Sequence, residues 1–149
     1  MARFRFQLET LRRLRQMHRD EMRGRLAEAY EAERILSEQQ QAIAGDAAAL
    51  AERQRLMMTS GRLNVNELLE SQRYQLALQA HSRQLAEQAA RLADEVENRR
   101  LAVVEADRQV RVLDQLEAKQ REARQKERTA AEQKLMDEAA VVGWGRRNA

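Results

Sequence analysis

An all-α fold, two long helices in an antiparallel coiled-coil hairpin with the second overhanging the first, follows from three features of the 149-residue chain. The first is a heptad seam in which Leu85, Ala89, Leu92, Val96, Val103, Ala106, Val110 and Leu113 fall three and four apart, interrupted only by Arg99. That spacing lays one apolar stripe along a helix, and valine alternating with leucine suits knobs-into-holes pairing of two helices. The second is a matching stripe seven apart in the first half: Leu8, Arg15, Met22, Ala29, Leu36, Ile43, Leu50 and Met57, with Arg15 its polar break. The third is the punctuation between them, Thr59-Ser60-Gly61-Arg62-Leu63-Asn64. Gly61 can take the left-handed conformation that ends a helix, and Asn64 with Glu67 three residues on makes a capping box for the next one.

Composition agrees. Charged residues make up 34% of the chain and aromatics 3%, and proline is absent, so a narrow seam supplies most of the buried area. An elongated rod is expected rather than a globule enclosing a pocket. There is no cysteine, which excludes disulfides and cysteine-based zinc sites and fits a reducing compartment. No apolar run approaches the roughly 20 residues that span a bilayer, and the start lacks the apolar core of a signal peptide, so a cytoplasmic protein without a transmembrane segment is expected.

Taken in order, the chain opens on Phe4, Phe6, Leu8, Leu11 and Leu14, which include both of its phenylalanines. Two readings are open here: the rings staple this end against the second helix, or they grip a partner. The same stretch is cationic. Up to Arg25, eight arginines (Arg3, Arg5, Arg12, Arg13, Arg15, Arg19, Arg23 and Arg25) face Glu9, Asp20 and Glu21, a net +5. Such a tip suits nucleic acid, an anionic membrane or an acidic protein surface. Helix one is expected over about residues 3–59, with seam companions first at Leu11 and later at Ile35, Ala42, Ala49 and Leu56. Gly24 and Gly45 weaken it by about 1 kcal/mol each relative to alanine. The alanine-rich run from Ala42 to Ala51 permits close approach of a neighbouring backbone.

The turn is expected over about residues 60–64, helix two over about 65–140 and a flexible tail over 141–149, all within one coiled-coil domain spanning 1–149. Pairing across a centre near residue 62 sets Met57 by Leu68, Leu36 by Ala89, Ala29 by Val96 and Leu8 near Glu117. Beyond Leu116 the apolar stripe fades. Lys119, Arg121, Glu122, Arg124, Lys126, Glu127 and Arg128 alternate in sign, a pattern held by pairs four apart and mostly wet. Trp144, the only tryptophan, reads either as an anchor for a partner or as part of a frayed end.

Residues that carry catalysis are missing from the pattern. There is no glycine-rich phosphate loop, HExxH or nucleophile elbow, and His18 and His81 lie on different helices at positions that cannot meet. Carboxylates are spread along solvated faces rather than paired. The chain is expected not to be an enzyme and to need no cofactor or metal.

The opening Phe4-Arg5-Phe6-Gln7-Leu8-Glu9 with Leu11, Leu14 and Arg15 resembles the F-x-F-x-L-x-x-L-L-x-x-R start of the flagellar export protein FliJ family, the coiled-coil component of the flagellar type III export apparatus. Ser60-Gly61 followed by Glu67, Gln72, Tyr74 and Leu78 is similar to the family's turn and following segment. Glu132-Gln133-Lys134-Leu135-Met136-Asp137-Glu138 is similar to its E-x-K-x-M-D-[ED] ending. Arg12 stands where the family has the second leucine of its L-L pair, and Gly143-Trp144-Gly145 has no counterpart.

The resemblance implies a stalk-like coiled coil that enters and activates the hexameric, ring-forming export ATPase. It also implies contacts with the ATPase's regulatory peripheral-stalk protein, with the cytoplasmic domain of the export-gate membrane protein and with export chaperones, at the inner membrane of the flagellar base. Set beside the residues, it assigns the ATPase-binding end to Phe4, Phe6, Leu8, Leu11, Arg12, Arg13 and Arg15 with Arg121, Arg124, Lys126 and Arg128, and export-gate binding to Gln72, Tyr74 and Leu78. Rival readings are a generic scaffolding hairpin, an injectisome stalk homologue and a basic nucleic-acid-binding coiled coil. No aromatic platform accompanies the arginines, so no nucleic acid is expected as a partner.

Overall fold

The computed structural model describes residues 5–62 and 64–148. Among them are two helices and no strand: α1 (Glu9–Thr59), of 51 residues, and α2 (Val65–Arg147), of 83. The helices pack against each other as the expected hairpin. Phe4 and Leu63 lie outside the described residues.

The turn follows local chemistry. Gly61 has φ of 71°, the left-handed conformation that ends a helix without a Cβ clash. Ahead of it the Thr59 hydroxyl donates to the carbonyls of Arg55 and Leu56, and the Ser60 hydroxyl donates to that of Met57. Acceptors at the helix end are thereby satisfied. On the far side, the Asn66 N–H donates to the Asn64 carboxamide oxygen at 3.1 Å, and the Leu68 N–H to the Asn64 carbonyl at 3.1 Å. Asn64 is thus the N-cap of α2.

Both outer helix ends differ from the sequence expectation. α1 starts at Glu9 rather than near residue 3, because a turn intervenes: the Phe6 carbonyl accepts the Glu9 N–H at 3.2 Å, and the Arg12 N–H donates to Leu8 at 2.8 Å. α2 runs through the supposed tail to Arg147. Extending an existing helix adds one hydrogen bond per residue, no proline stops it, and Arg146 and Arg147 favour its negative end. Trp144 therefore sits on an exposed helix rather than in a frayed tail.

The chain forms two compact units, one from Asp20–Val104 and one from Met1–Arg19 with Glu105–Ala149. In the first, Ala29, Leu36 and Leu50 of α1 and Leu78 and Leu85 of α2 are buried. The seam companions are not those expected. Ile35, Ala42, Ala49 and Leu56 are exposed, whereas Leu26, Glu33, Gln40 and Gln54 are half-buried. The reason is angular: a residue adjacent to a seam position points about 100° away, off the strip one partner helix covers, whereas a residue four further on stays over it. Gln54 donates to buried Ser71 at 2.8 Å and to Gln75 at 3.2 Å, and Arg99 donates across to the Arg25 carbonyl at 2.6 Å. The alanine-rich run leaves an open groove of about 360 Å³ between Ala44, Ala47 and Ala51 and the α2 residues Gln75, Gln79 and Ser82, so the close approach it permits is not made there.

In the second unit Ala106, Val110 and Leu113 of α2 are buried together with Phe6. Arg12, Gln16 and Arg19 line the α1 side half-buried. Arg12 reaches Glu117 from the first turn of α1, about one turn along from Leu8, while Arg15 to Gln109 and Gln54 to Ser71 keep the register read from sequence. From Arg121 to Asn148 every residue is exposed, the overhang expected of α2.

Candidate functional site

The terminal end is built around Arg12. Its guanidinium stacks over the Phe6 ring at 5.6 Å from the centroid, a cation–π contact. The Nη2 group donates to Glu9 Oε2 at 2.5 Å, and Nη1 pairs with Glu117 and stands 3.7 Å from Asp114 Oδ1. The Arg12 and Glu117 side chains are only 19% and 15% exposed, and Phe6 is 6% exposed. Arg12 Nε is buried with no hydrogen-bond partner. Phe6 is thus buried beneath the Arg12 guanidinium rather than displayed at the surface. Arg12 likewise turns inward, onto Glu117.

The other residues assigned to this end face outward. Leu8, Leu11, Arg13 and Arg15 are exposed. Arg13 Nε is 3.6 Å from Glu9 Oε1, and Arg15 Nη1 donates to Gln109 at 2.9 Å. On α2, Arg121 donates to Glu117 Oε1 at 3.1 Å and Lys126 lies 3.3 Å from Glu122; Arg124 and Arg128 are exposed on the same stretch. Glu117 therefore engages a guanidinium with each oxygen, Arg12 from α1 and Arg121 from its own helix. Sequence reasoning missed Glu117, Asp114 and Glu9. The signal was the departure at position 12: an arginine stands where the motif it resembles has a leucine, and a guanidinium taken out of water needs carboxylates within reach.

Near the turn, Tyr74 is 47% exposed and Gln72 is exposed, while Leu78 is buried in the seam and does not share their surface. Tyr74 borders a groove of about 480 Å³ with Leu50, Arg53, Met57, Glu67, Glu70 and Ser71.

Among the described residues no three histidine, cysteine or acidic side chains are grouped to hold a metal, and no helix is long and apolar enough to cross a membrane. His18 and His81 are exposed. Exposed pairs three apart hold the carboxyls of Glu31, Glu97 and Glu105 below the ordinary glutamate range, through hydrogen bonds from Arg34, Arg100 and Arg108. No curated protein and no solved structure matches the chain. A family model described as Flagellar FliJ protein matches residues 4–149, essentially its whole length. With its helical hairpin and the opening, turn and closing motifs already noted, the chain belongs to the FliJ family and is a flagellar export protein of a family that is itself non-enzymatic.

Proposed function

We propose that the protein is a stalk-like activator of the ring-forming flagellar export ATPase, and that its terminal end makes the contact. The observation that carries the reading is the family match over residues 4–149, which reaches the opening motif as well as the coiled coil. Supporting it, the start of α1 and the last stretch of α2 belong to one compact unit rich in outward cations: Arg13 and Arg15 from one helix, Arg121, Arg124, Lys126 and Arg128 from the other. Leu8 and Leu11 add apolar grip. Arginines accept carboxylates in many geometries, which suits docking inside a ring whose subunits present the same surface repeatedly. Phe4 belongs to the same assignment but lies outside the described residues.

Gln72 and Tyr74 form the docking surface for the cytoplasmic domain of the export gate, with Leu78 holding their helix in place. Tyr74 is the candidate anchor, since a half-exposed aromatic beside a groove supplies contact area at low entropic cost. Export chaperones and the ATPase's regulatory subunit are the remaining partners, met at the cytoplasmic face of the inner membrane. The test is ATP hydrolysis and ring assembly by the export ATPase with the full-length chain, with an Arg13→Glu/Arg15→Glu variant and with residues 1–7 removed, each first shown to keep its helicity. Both variants should stimulate less, and stimulation by the unaltered chain should fall with salt. Undiminished stimulation by both rejects the terminal end as the ATPase contact.

A further inference from the structure

The geometry points to a self-capped terminal end, in which Glu117 stands in for a carboxylate of the partner and keeps Phe6 folded away until that partner replaces it. Phe6 precedes the first residue of α1, and only a single turn, closed by the Phe6 carbonyl and the Glu9 N–H, joins it to the helix. It is nonetheless buried, with the Arg12 guanidinium over its ring. What fixes Arg12 there is ionic: Glu9, Asp114 and Glu117 converge on its two terminal nitrogens. Of the three, Glu117 is the most buried, and it also holds Arg121.

An arginine with a buried, unpartnered Nε has a donor that its present contacts leave unused. A carboxylate arriving from outside can approach in the guanidinium plane and bond two nitrogens at once, whereas Glu117 pairs through Nη1. Exchange of one carboxylate for another preserves charge balance, so the barrier is the opening of the short Phe6 flap rather than the stranding of a buried charge. As Arg12 leaves, the Phe6 ring loses its cover and becomes an apolar contact for the same partner. The ligand class is an acidic protein segment that presents a carboxylate next to an apolar surface. Identifying that segment with the ring ATPase rests on the docking reading above; the latch itself does not.

The experiment uses the full-length chain with Glu117→Gln and, separately, Arg12→Gln. Amide hydrogen exchange is followed in the free protein, and binding is measured first to a hexaglutamate peptide and then to the export ATPase. Glu117→Gln should speed exchange between Gln7 and Arg12 by about tenfold, as expected for loss of one hydrogen bond to a charged group, while the Ala106–Leu113 seam stays protected. It should bind hexaglutamate and the ATPase more tightly than the unaltered chain, and Arg12→Gln should bind both more weakly. Unchanged exchange in Glu117→Gln, or faster exchange accompanied by weaker hexaglutamate binding, overturns the latch and leaves Glu117 a structural strut. If the hexaglutamate results hold and no form of the chain binds the ATPase, the latch stands and the docking reading fails.

Discussion

Replacing Leu85 with alanine removes three carbons from a side chain that is 3% exposed at the start of the α2 stripe. At about 0.8 kcal/mol per buried methylene the loss is about 2.4 kcal/mol. A two-helix seam is open to solvent along both flanks, so a cavity is easily relaxed or wetted and adds little, which keeps the cost near the low end for core leucines. Leu76, nine residues earlier on the same helix and in the same unit, is 66% exposed, and its replacement by alanine should change stability by less than about 0.5 kcal/mol. The assay is urea unfolding followed by circular dichroism at 222 nm, with midpoints compared at equal slope. Equal costs for the two substitutions, or a larger one at Leu76, would refute the claim that the narrow seam through Leu85 holds this unit together.

Further expectations concern the helices and their ends. Gly24→Ala and Gly45→Ala should each raise stability by about 1 kcal/mol in thermal melts, because a Cβ at either meets nothing within 4 Å and the helical backbone suits alanine. Asn64→Ala should cost about 1 kcal/mol through loss of the Asn66 cap, whereas Asn64→Ser should retain most of it. The carboxyls of Glu31, Glu97 and Glu105 lie lower in the helix than in the unfolded chain, so their contribution is present above the ordinary value of 4.5 and is lost as pH falls through the depressed folded values. Melting temperature should therefore decline below about pH 4.5, and a rise over that window would contradict the sign.

Some features could be read from sequence because their causes are local. Gly61 and Asn64 act through their own backbone and side-chain geometry, and both do what their residue types dictate. The Leu85 to Leu113 stripe was legible because its three-four spacing is unambiguous. In α1 the same logic was led astray by composition: Ile35, Ala42, Ala49 and Leu56 are more apolar than Glu33, Gln40 and Gln54, yet spacing rather than hydrophobicity decides which residues one partner helix covers. The last turns of α2 were not legible because Gly143 and Gly145 lower helix propensity by only about 1 kcal/mol each, which a continuous helix upstream tolerates. At the candidate site, the inward turn of Phe6 and Arg12 depends on Glu117 and Asp114, more than 100 residues away in sequence. That pairing needs the hairpin register and also the reach of an arginine side chain, which carries Arg12 along about one helical turn to the carboxylate set beside Leu8.

The central claim is that the terminal end, not the turn, meets the export ATPase. Photo-crosslinking from the full-length chain tests it most directly, with a crosslinking residue placed singly at the exposed positions 13, 128 and 74 in the presence of the assembled ATPase. The account predicts adducts with the ATPase from positions 13 and 128, reduced at high salt, and none from position 74. Adducts from position 74 alone would contradict it.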